Sequence, residues 1–410
     1  REVVGQRLAH PNATEALLHA LAMQLRGWKT LLFDRADVGS THREWNITRR
    51  ELDVLVQAGL FTWEELEPVV AREYRIGFIE FYNPDGPPSR VDIPNVLDLA
   101  LDASALLTLA RQKFEAAGGT VWEQHLFEGA WLAIDGPPRS VVRVRNGDTA
   151  PIHVGARLLV NGMGALSPLS LALAGDGLPF DGVCPTVGTV ATGFAPGEID
   201  PSVGEILVTL EGSDGEQQLI WEGFPGAGEE FTTYLFFYDV TAGRAERPHS
   251  LVALYDTYFE RFERYKRPGA DFRHLRPVYG FIPSRHHVDG RAPTQARSAR
   301  GLLSIGDAAA RQNPLTFTGF GSFVRHLPRA TAELDTALHA GALDAESLAT
   351  LSAAQENLSP LWVMARFLSP RGGTDEVNSI LRDFAHVMEQ VGTEHAGAFF
   401  RDETKWADDV

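Results

Sequence analysis

Gly301-Leu-Leu-Ser-Ile-Gly306-Asp307-Ala-Ala-Ala-Arg-Gln-Asn313-Pro314-Leu-Thr-Phe-Thr-Gly319-Phe-Gly321-Ser322 is the stretch on which the fold turns. Leu302, Leu303 and Ile305 read as a short apolar strand running into Gly306, where the missing side chain lets a backbone come close. Asp307 then presents a carboxylate able to accept hydrogen bonds from a polyol. Asn313, Pro314, Gly319 and Gly321 supply turn chemistry, so that a helix starting near Ser322 aims its amide ends at an anionic ring or a phosphate. The stretch reads as a cradle for a flavin. The plainer reading is that Asp307 caps a helix in an unrelated α/β protein.

Toward the N-terminus the chain offers half of a dinucleotide fold. Residues Ala16 to Arg26 form a helical stretch, Gly27 ends it, and Lys29-Thr-Leu-Leu-Phe-Asp34 reads as a strand with an acid at its carboxyl end. In such folds the terminal acid, here Asp34, bonds the adenosine ribose, and the turn before the helix is glycine-rich so that phosphate rests on bare backbone. Here that turn is Pro11-Asn12-Ala13-Thr14-Glu15-Ala16. Its side chains occupy space a pyrophosphate needs, Glu15 adds a like charge, and Pro11 removes a donor. A rebuilt loop, an altered N-terminus and weak or lost flavin binding all satisfy this pattern.

Thr48-Arg-Arg-Glu51 and Thr62-Trp-Glu-Glu65 both have capping-box spacing and open helices. Residues Asn83 to Pro94, rich in Pro, Gly and Asp, read as a loop. A helix follows with Leu106, Leu109, Ala110, Lys113, Phe114 and Ala117 near one face; Gly118-Gly119 stops it and Thr120-Val-Trp122 begins a strand. Val141–Val144 and Ala156–Val160 give further short strands, the second entering the turn Asn161-Gly162-Met163-Gly164-Ala165-Leu166-Ser167-Pro168. That turn is either a second flavin contact through Gly162 and Gly164 or a plain glycine turn.

From about Phe180 to Arg300 apolar and aromatic residues alternate between Gly, Pro and Asp turns, as expected of an antiparallel substrate domain. Two strands stand out, Gln217-Gln-Leu-Ile-Trp221-Glu222 and Phe231-Thr-Thr-Tyr234-Leu-Phe236-Phe237-Tyr238. A period of two puts Leu219 and Trp221 on one face and Ile220 and Glu222 on the other, while Tyr234, Phe236 and Tyr238 share a face. Aromatic rings stabilise a carbocation through their quadrupoles, and an apolar surround raises a carboxyl pKa until it can donate a proton. Glu222 is therefore the candidate acid, and Trp221, Tyr234, Phe236 and Tyr238 the candidate substrate wall. The bland alternative makes the aromatics sheet core and turns Glu222 to water.

Four further segments accompany the first one: Arg43-Glu-Trp45-Asn46-Ile-Thr-Arg49, Val183-Cys-Pro-Thr-Val-Gly188, Leu219-Ile-Trp221-Glu222-Gly-Phe-Pro225 and Pro277-Val-Tyr-Gly-Phe-Ile-Pro283. As an ordered set over nearly the whole chain they resemble the CruA/CruP-type lycopene cyclases, a branch of the flavoprotein superfamily that also holds geranylgeranyl reductases and aromatic hydroxylases. The Asn161 turn resembles that superfamily's second flavin fingerprint, with Asn where Asp is more usual. The resemblance implies FAD in reduced form, with NADPH as reductant, and places Arg43 near the pyrophosphate or a flavin edge; a surface charge pair with Glu44 is its alternative. It further implies lycopene, or a related carotenoid or isoprenoid, as substrate, cyclised after protonation of a terminal double bond with no net redox. Reduced flavin would serve as an electrostatic stabiliser or proton donor. The alternatives are an FAD/NADPH-dependent reductase or monooxygenase on an isoprenoid, and a cofactor-free carotenoid-binding or interaction paralogue.

The expected architecture is α/β: a Rossmann-like FAD-binding domain over 1–179, an antiparallel substrate sheet over 180–300, and a return to the first domain with C-terminal helices over 301–410. A chain of 410 residues, 44% of them hydrophobic, buries a core of that size. The net charge of -17 disfavours nucleic acid as a partner and leaves only apolar contact with an anionic membrane surface. With one cysteine, Cys184, there is no disulfide framework, and a reducing, cytoplasmic setting is expected, with or without peripheral contact at the inner membrane. His286-His287 lacks a partner at metal-ligand spacing, so no metal is expected. Ser284 and Ser322 lack a nucleophile elbow. Pro360-Leu-Trp362-Val-Met364-Ala-Arg366-Phe367-Leu368 reads as a helix that closes a core or rests at a membrane interface.

Overall fold

The computed structural model describes residues 2–4, 13–39, 41, 45–137, 139–175, 177–214, 217–241, 250–284, 298–310, 319–353, 368–369, 376–401 and 403. Arg43, Asn313, Pro314, His286, His287 and the stretch from Pro360 to Phe367 lie outside them.

The first layer is built around the helix Ala13–Leu25, whose Leu17, Leu18 and Leu21 are fully buried. Because it is apolar on several sides, it is wrapped rather than laid on a surface, packing against the helices Ala103–Ala116 and Gly319–Ala340. Beside it run two parallel strand pairs, Leu31–Phe33 with Thr120–Trp122 and Leu159–Asn161 with Leu302–Ser304. The first ends in Asp34 and the second in Gly306-Asp307, so the ends that a doubly wound fold uses for ligands carry the expected residues. The strands Glu2–Val4, His125–Leu132, Ser140–Asn146 and Ile152–Ala156 form a separate antiparallel sheet. Both expected capping boxes form, Thr48 with Glu51 and Thr62 with Glu65.

The second layer is one large twisted sheet. Its strands lie in the order Asp239–Val240, Gly182–Phe194, Phe231–Phe236, Ile220–Pro225, Val203–Val208, Ile76–Phe81 and Ser89–Ile93, with Pro268–Ser284 also paired along Gly182–Phe194. Two of these strands come from the first segment of the chain. Val203–Val208 pairs in parallel with Ile76–Phe81, and Ser89–Ile93 completes an antiparallel hairpin. Residues 83 to 94, read from sequence as a loop, are thus irregular only in part: Arg90, Val91 and Asp92 alternate outward and inward, and Ile93 enters the core.

The sheet has two differently covered faces. Helix Leu251–Tyr265 lies over one, burying Leu254, Tyr258, Phe262 and Tyr265 against Trp221, Leu219 and Leu235. On the other, the helices Glu376–Val391 and Thr393–Phe400 bring Leu381, Ala385, Phe399 and Phe400 into one cluster with Phe81, Ile93, Ile220, Phe236 and Tyr238. No helix among the described residues is long and apolar enough to cross a membrane.

Candidate functional site: a cavity at the strand ends and a buried acid

A cavity of about 1110 Å³ opens between the two layers. Asp34, Trp122 and His125 stand at one part of its wall, Ala16, His19 and Met23 along the central helix, and Gly162 to Pro168, Asp307, Phe281 and Pro283 toward the large sheet. Of the cofactor residues expected from sequence, it brings together Asp34, Gly162, Gly164 and Asp307.

Asp34 is fixed by its own strand end. Its carboxylate accepts the Ala36 amide at 2.8 Å, and its backbone N–H and C=O bond Trp122 and His125. Burial holds its carboxyl above the usual range, against the lowering effect of the Ala36 amide. Trp122 and His125 stack with centroids 5.2 Å apart and give the cavity an aromatic shelf beside the acid. Sequence reading missed that shelf. The available signal was Trp122 at the carboxyl end of a strand parallel to the one that ends in Asp34. His19 was missed as well. Its Nδ1 meets the Glu15 carbonyl at 3.1 Å, its ring packs against Phe323, and burial lowers its pKa from 6.5 to about 4.

The glycine turn after Leu159–Asn161 is held rigidly. Asn161, buried, donates through Nδ2 to Ser304 and Ser170, and its Oδ1 accepts the Met163 amide at 3.1 Å. Ser170 Oγ reaches both the Gly164 carbonyl, at 3.0 Å, and the Ala308 carbonyl, at 3.2 Å. The amide thus ties the two parallel strands and their terminal turns into one piece, a role a carboxylate without donors could not fill. Gly162 is required by contact: a Cβ there would stand 2.8 Å from the Ala16 Cβ.

The phosphate end differs from the adenosine end. At Gly306, whose φ is +53°, a Cβ would coincide with the carboxylate of Glu15 from the first turn of the central helix. The chain's own anion thus lies against the turn that follows the strand Leu302–Ser304, next to the start of the central helix. The cavity has room for an adenosine beside Asp34, Trp122 and His125, whereas the Glu15 carboxylate against Gly306 is a poor fit for a diphosphate.

Gly319 and Gly321 begin the helix Gly319–Ala340 and do not line the cavity. At Gly321 a Cβ would collide with the carboxylate of Glu51, which accepts from the Thr48 amide at 3.0 Å and lies 3.1 Å from Arg325 Nε. Phe320 stacks on Trp45 at 4.5 Å. Gly321 thus lets the helix close onto the 45–57 segment.

The expected substrate wall is divided by the sheet. Trp221, 2% exposed, stacks on Tyr265 at 4.8 Å under helix Leu251–Tyr265. Glu222, 3% exposed, faces the other way with Ile220 and Phe224. There it pairs in register with Tyr234, and Phe236 and Tyr238 meet edge to face at 5.8 Å. Trp221 therefore cannot share a chamber with Glu222, because strand alternation sends neighbours to opposite sides. Burial raises the Glu222 carboxyl well above the carboxylate range, and it also pushes up the Cys184 thiol and the Tyr238 hydroxyl nearby. No hydrogen bond to the Glu222 carboxyl is found among the described residues. Glu222 is not on the wall of the large cavity.

No family model matches this chain, and no curated protein is similar to it in sequence. Solved structures are similar in fold. A geranylgeranyl bacteriochlorophyll reductase-like protein from Thermoplasma acidophilum matches with TM-score 0.67 and 14% identity, over 96% of this chain and 94% of that one. The Diels-Alderase PyrE3 of pyrroindomycin biosynthesis matches with TM-score 0.63 and 15% identity, over 94% and 78%. The halogenase PltM in complex with phloroglucinol and FAD matches with TM-score 0.58 and 14% identity, over 94% and 84%. The chain shares with these structures an α/β fold with a large sheet, and it carries C-terminal helices.

Proposed function

We propose that this chain is an enzyme that protonates and cyclises an apolar isoprenoid, with lycopene as the substrate and a β-ring as the product. The observation that carries this reading is Glu222, a carboxyl buried on an apolar, aromatic sheet face, where burial raises its pKa and favours the protonated form. Its O–H donates to one carbon of the terminal double bond, leaving a tertiary cation. The next internal double bond attacks that cation and closes the ring. Loss of a proton from the adjacent carbon, which the Glu222 carboxylate can accept, restores the acid. Atoms and electrons balance without an oxidant or a reductant. Phe236 and Tyr238 offer ring faces to the passing cation. Glu222 lies nearly closed to solvent, so the end of the substrate must displace part of its cover.

A ring closure without net redox has support in the Diels-Alderase match, since that name denotes a cycloaddition on the same fold. A second reading, reduction of an isoprenoid double bond, is compatible with the reductase-like match over nearly the full length of both chains. It requires a bound flavin. Incubation of the purified chain with lycopene, with and without FAD and NADPH, separates the two by product mass. Cyclisation leaves the mass unchanged and shortens the polyene, reduction adds hydrogen, and oxygenation adds oxygen. Unchanged lycopene retained by the protein would leave a binding role in place of either reaction.

A further inference from the structure

The central helix begins at the phosphate end of the cavity, and its free amides are the natural partners of an anion there. Glu15, in the first turn, already supplies one. Its carboxylate lies against Gly306, with Ala16 pressed on Gly162, so that the helix start, the Gly162–Gly164 turn and the Gly306–Asp307 turn close on one another. The adenosine end is open by contrast, with Asp34, Trp122 and His125 on the cavity wall. The open cavity thus runs past Asp34, Trp122 and His125, while beside it the space against Gly306 is taken by Glu15.

We infer that Glu15 is a built-in anion occupying the diphosphate position, and that it makes this cavity select against diphosphate-bearing ligands such as FAD. Two effects combine. The carboxylate fills the space against Gly306 that a phosphate would approach, and its charge opposes the two charges of the diphosphate in a partly desolvated space. The ligand class the cavity accepts as folded is neutral: hydroxyl-bearing at Asp34 and flat or apolar beyond it. This holds whether or not the chain cyclises lycopene, because it concerns binding alone.

The test is titration of the full-length chain with FAD, followed by flavin fluorescence, for the parent, Glu15→Ala and Glu15→Gln, with riboflavin, which has no phosphate, as the second probe. Melting curves of the three chains establish that each is folded. Glu15→Ala should bind FAD at least about tenfold more tightly than the parent, a ratio that corresponds to roughly 1.4 kcal/mol. Glu15→Gln, which keeps the bulk and removes the charge, should recover part of that gain. Riboflavin affinity should be the same in all three. A parent chain that retains stoichiometric FAD through purification overturns the inference, and so does a set in which neither substitution tightens FAD.

Discussion

The two faces of the large sheet hold a buried carboxyl in opposite ways. Under helix Leu251–Tyr265 the buried carboxylate, ammonium and tyrosine hydroxyls are paired. Lys266 donates to Glu205 at 2.5 Å, the Tyr265 hydroxyl donates to the same carboxylate at 2.6 Å, and Tyr258 shares hydrogen bonds with Thr189 and Thr233 at 2.7 and 2.6 Å. His274 joins that network through Thr189. On the other face Glu222 is as deeply buried, yet burial alone accounts for its displaced pKa. A paired carboxylate is a fixture of the fold. An unpaired one is kept neutral at a cost in stability, and that cost makes sense where the proton is needed.

The comparison is sharpened first on the satisfied face. Glu205→Ala leaves the Lys266 ammonium buried without its counter-ion and should cost about 3–5 kcal/mol in a denaturant titration. A loss below about 1 kcal/mol would mean that this face tolerates unpaired charge, and the contrast with Glu222 would vanish. Tyr258→Phe removes the hydroxyl that links Thr189 and Thr233, with an expected cost of about 1–3 kcal/mol. Glu222→Gln should change stability least, by about 1 kcal/mol or less near pH 5, because no partner is left behind.

Its signature is a pH dependence instead. The native chain keeps the Glu222 proton above the ordinary carboxyl value of 4.5, while the unfolded chain releases it there. Stability from this residue is therefore full below 4.5, falls as pH rises toward the raised native value, and levels off above it. Glu222→Gln should flatten that decline. An identical decline in parent and variant would place the titration elsewhere.

The sequence made some of this legible because the relevant forces are local. Strand alternation put Trp221 and Glu222 on opposite faces, Thr48 and Thr62 announced their helix starts, and the apolar run into Gly306-Asp307 marked a strand end. What it could not show depends on residues far apart in the chain. Nothing near Gly321 signals that the glycine makes room for Glu51, and nothing in 83–94 signals that Ser89–Ile93 is drawn into a sheet through the parallel pairing of Ile76–Phe81 with Val203–Val208. Glycine has two distinct uses, approach to a ligand and approach to another part of the chain, and the local pattern is the same for both. The side chains of the sequence Pro11–Ala16 did flag Glu15, but its meeting with Gly306 appears only once the fold brings the two together.

The most direct test of the central claim, that Glu222 delivers the initiating proton, is the rate of lycopene conversion by Glu222→Gln against the parent under identical conditions. A positioned acid contributes about 10² to 10⁴ in rate, so the variant should fall by that order with its melting curve and secondary structure unchanged. A variant that converts lycopene at the parental rate would contradict the claim and assign the proton to another donor.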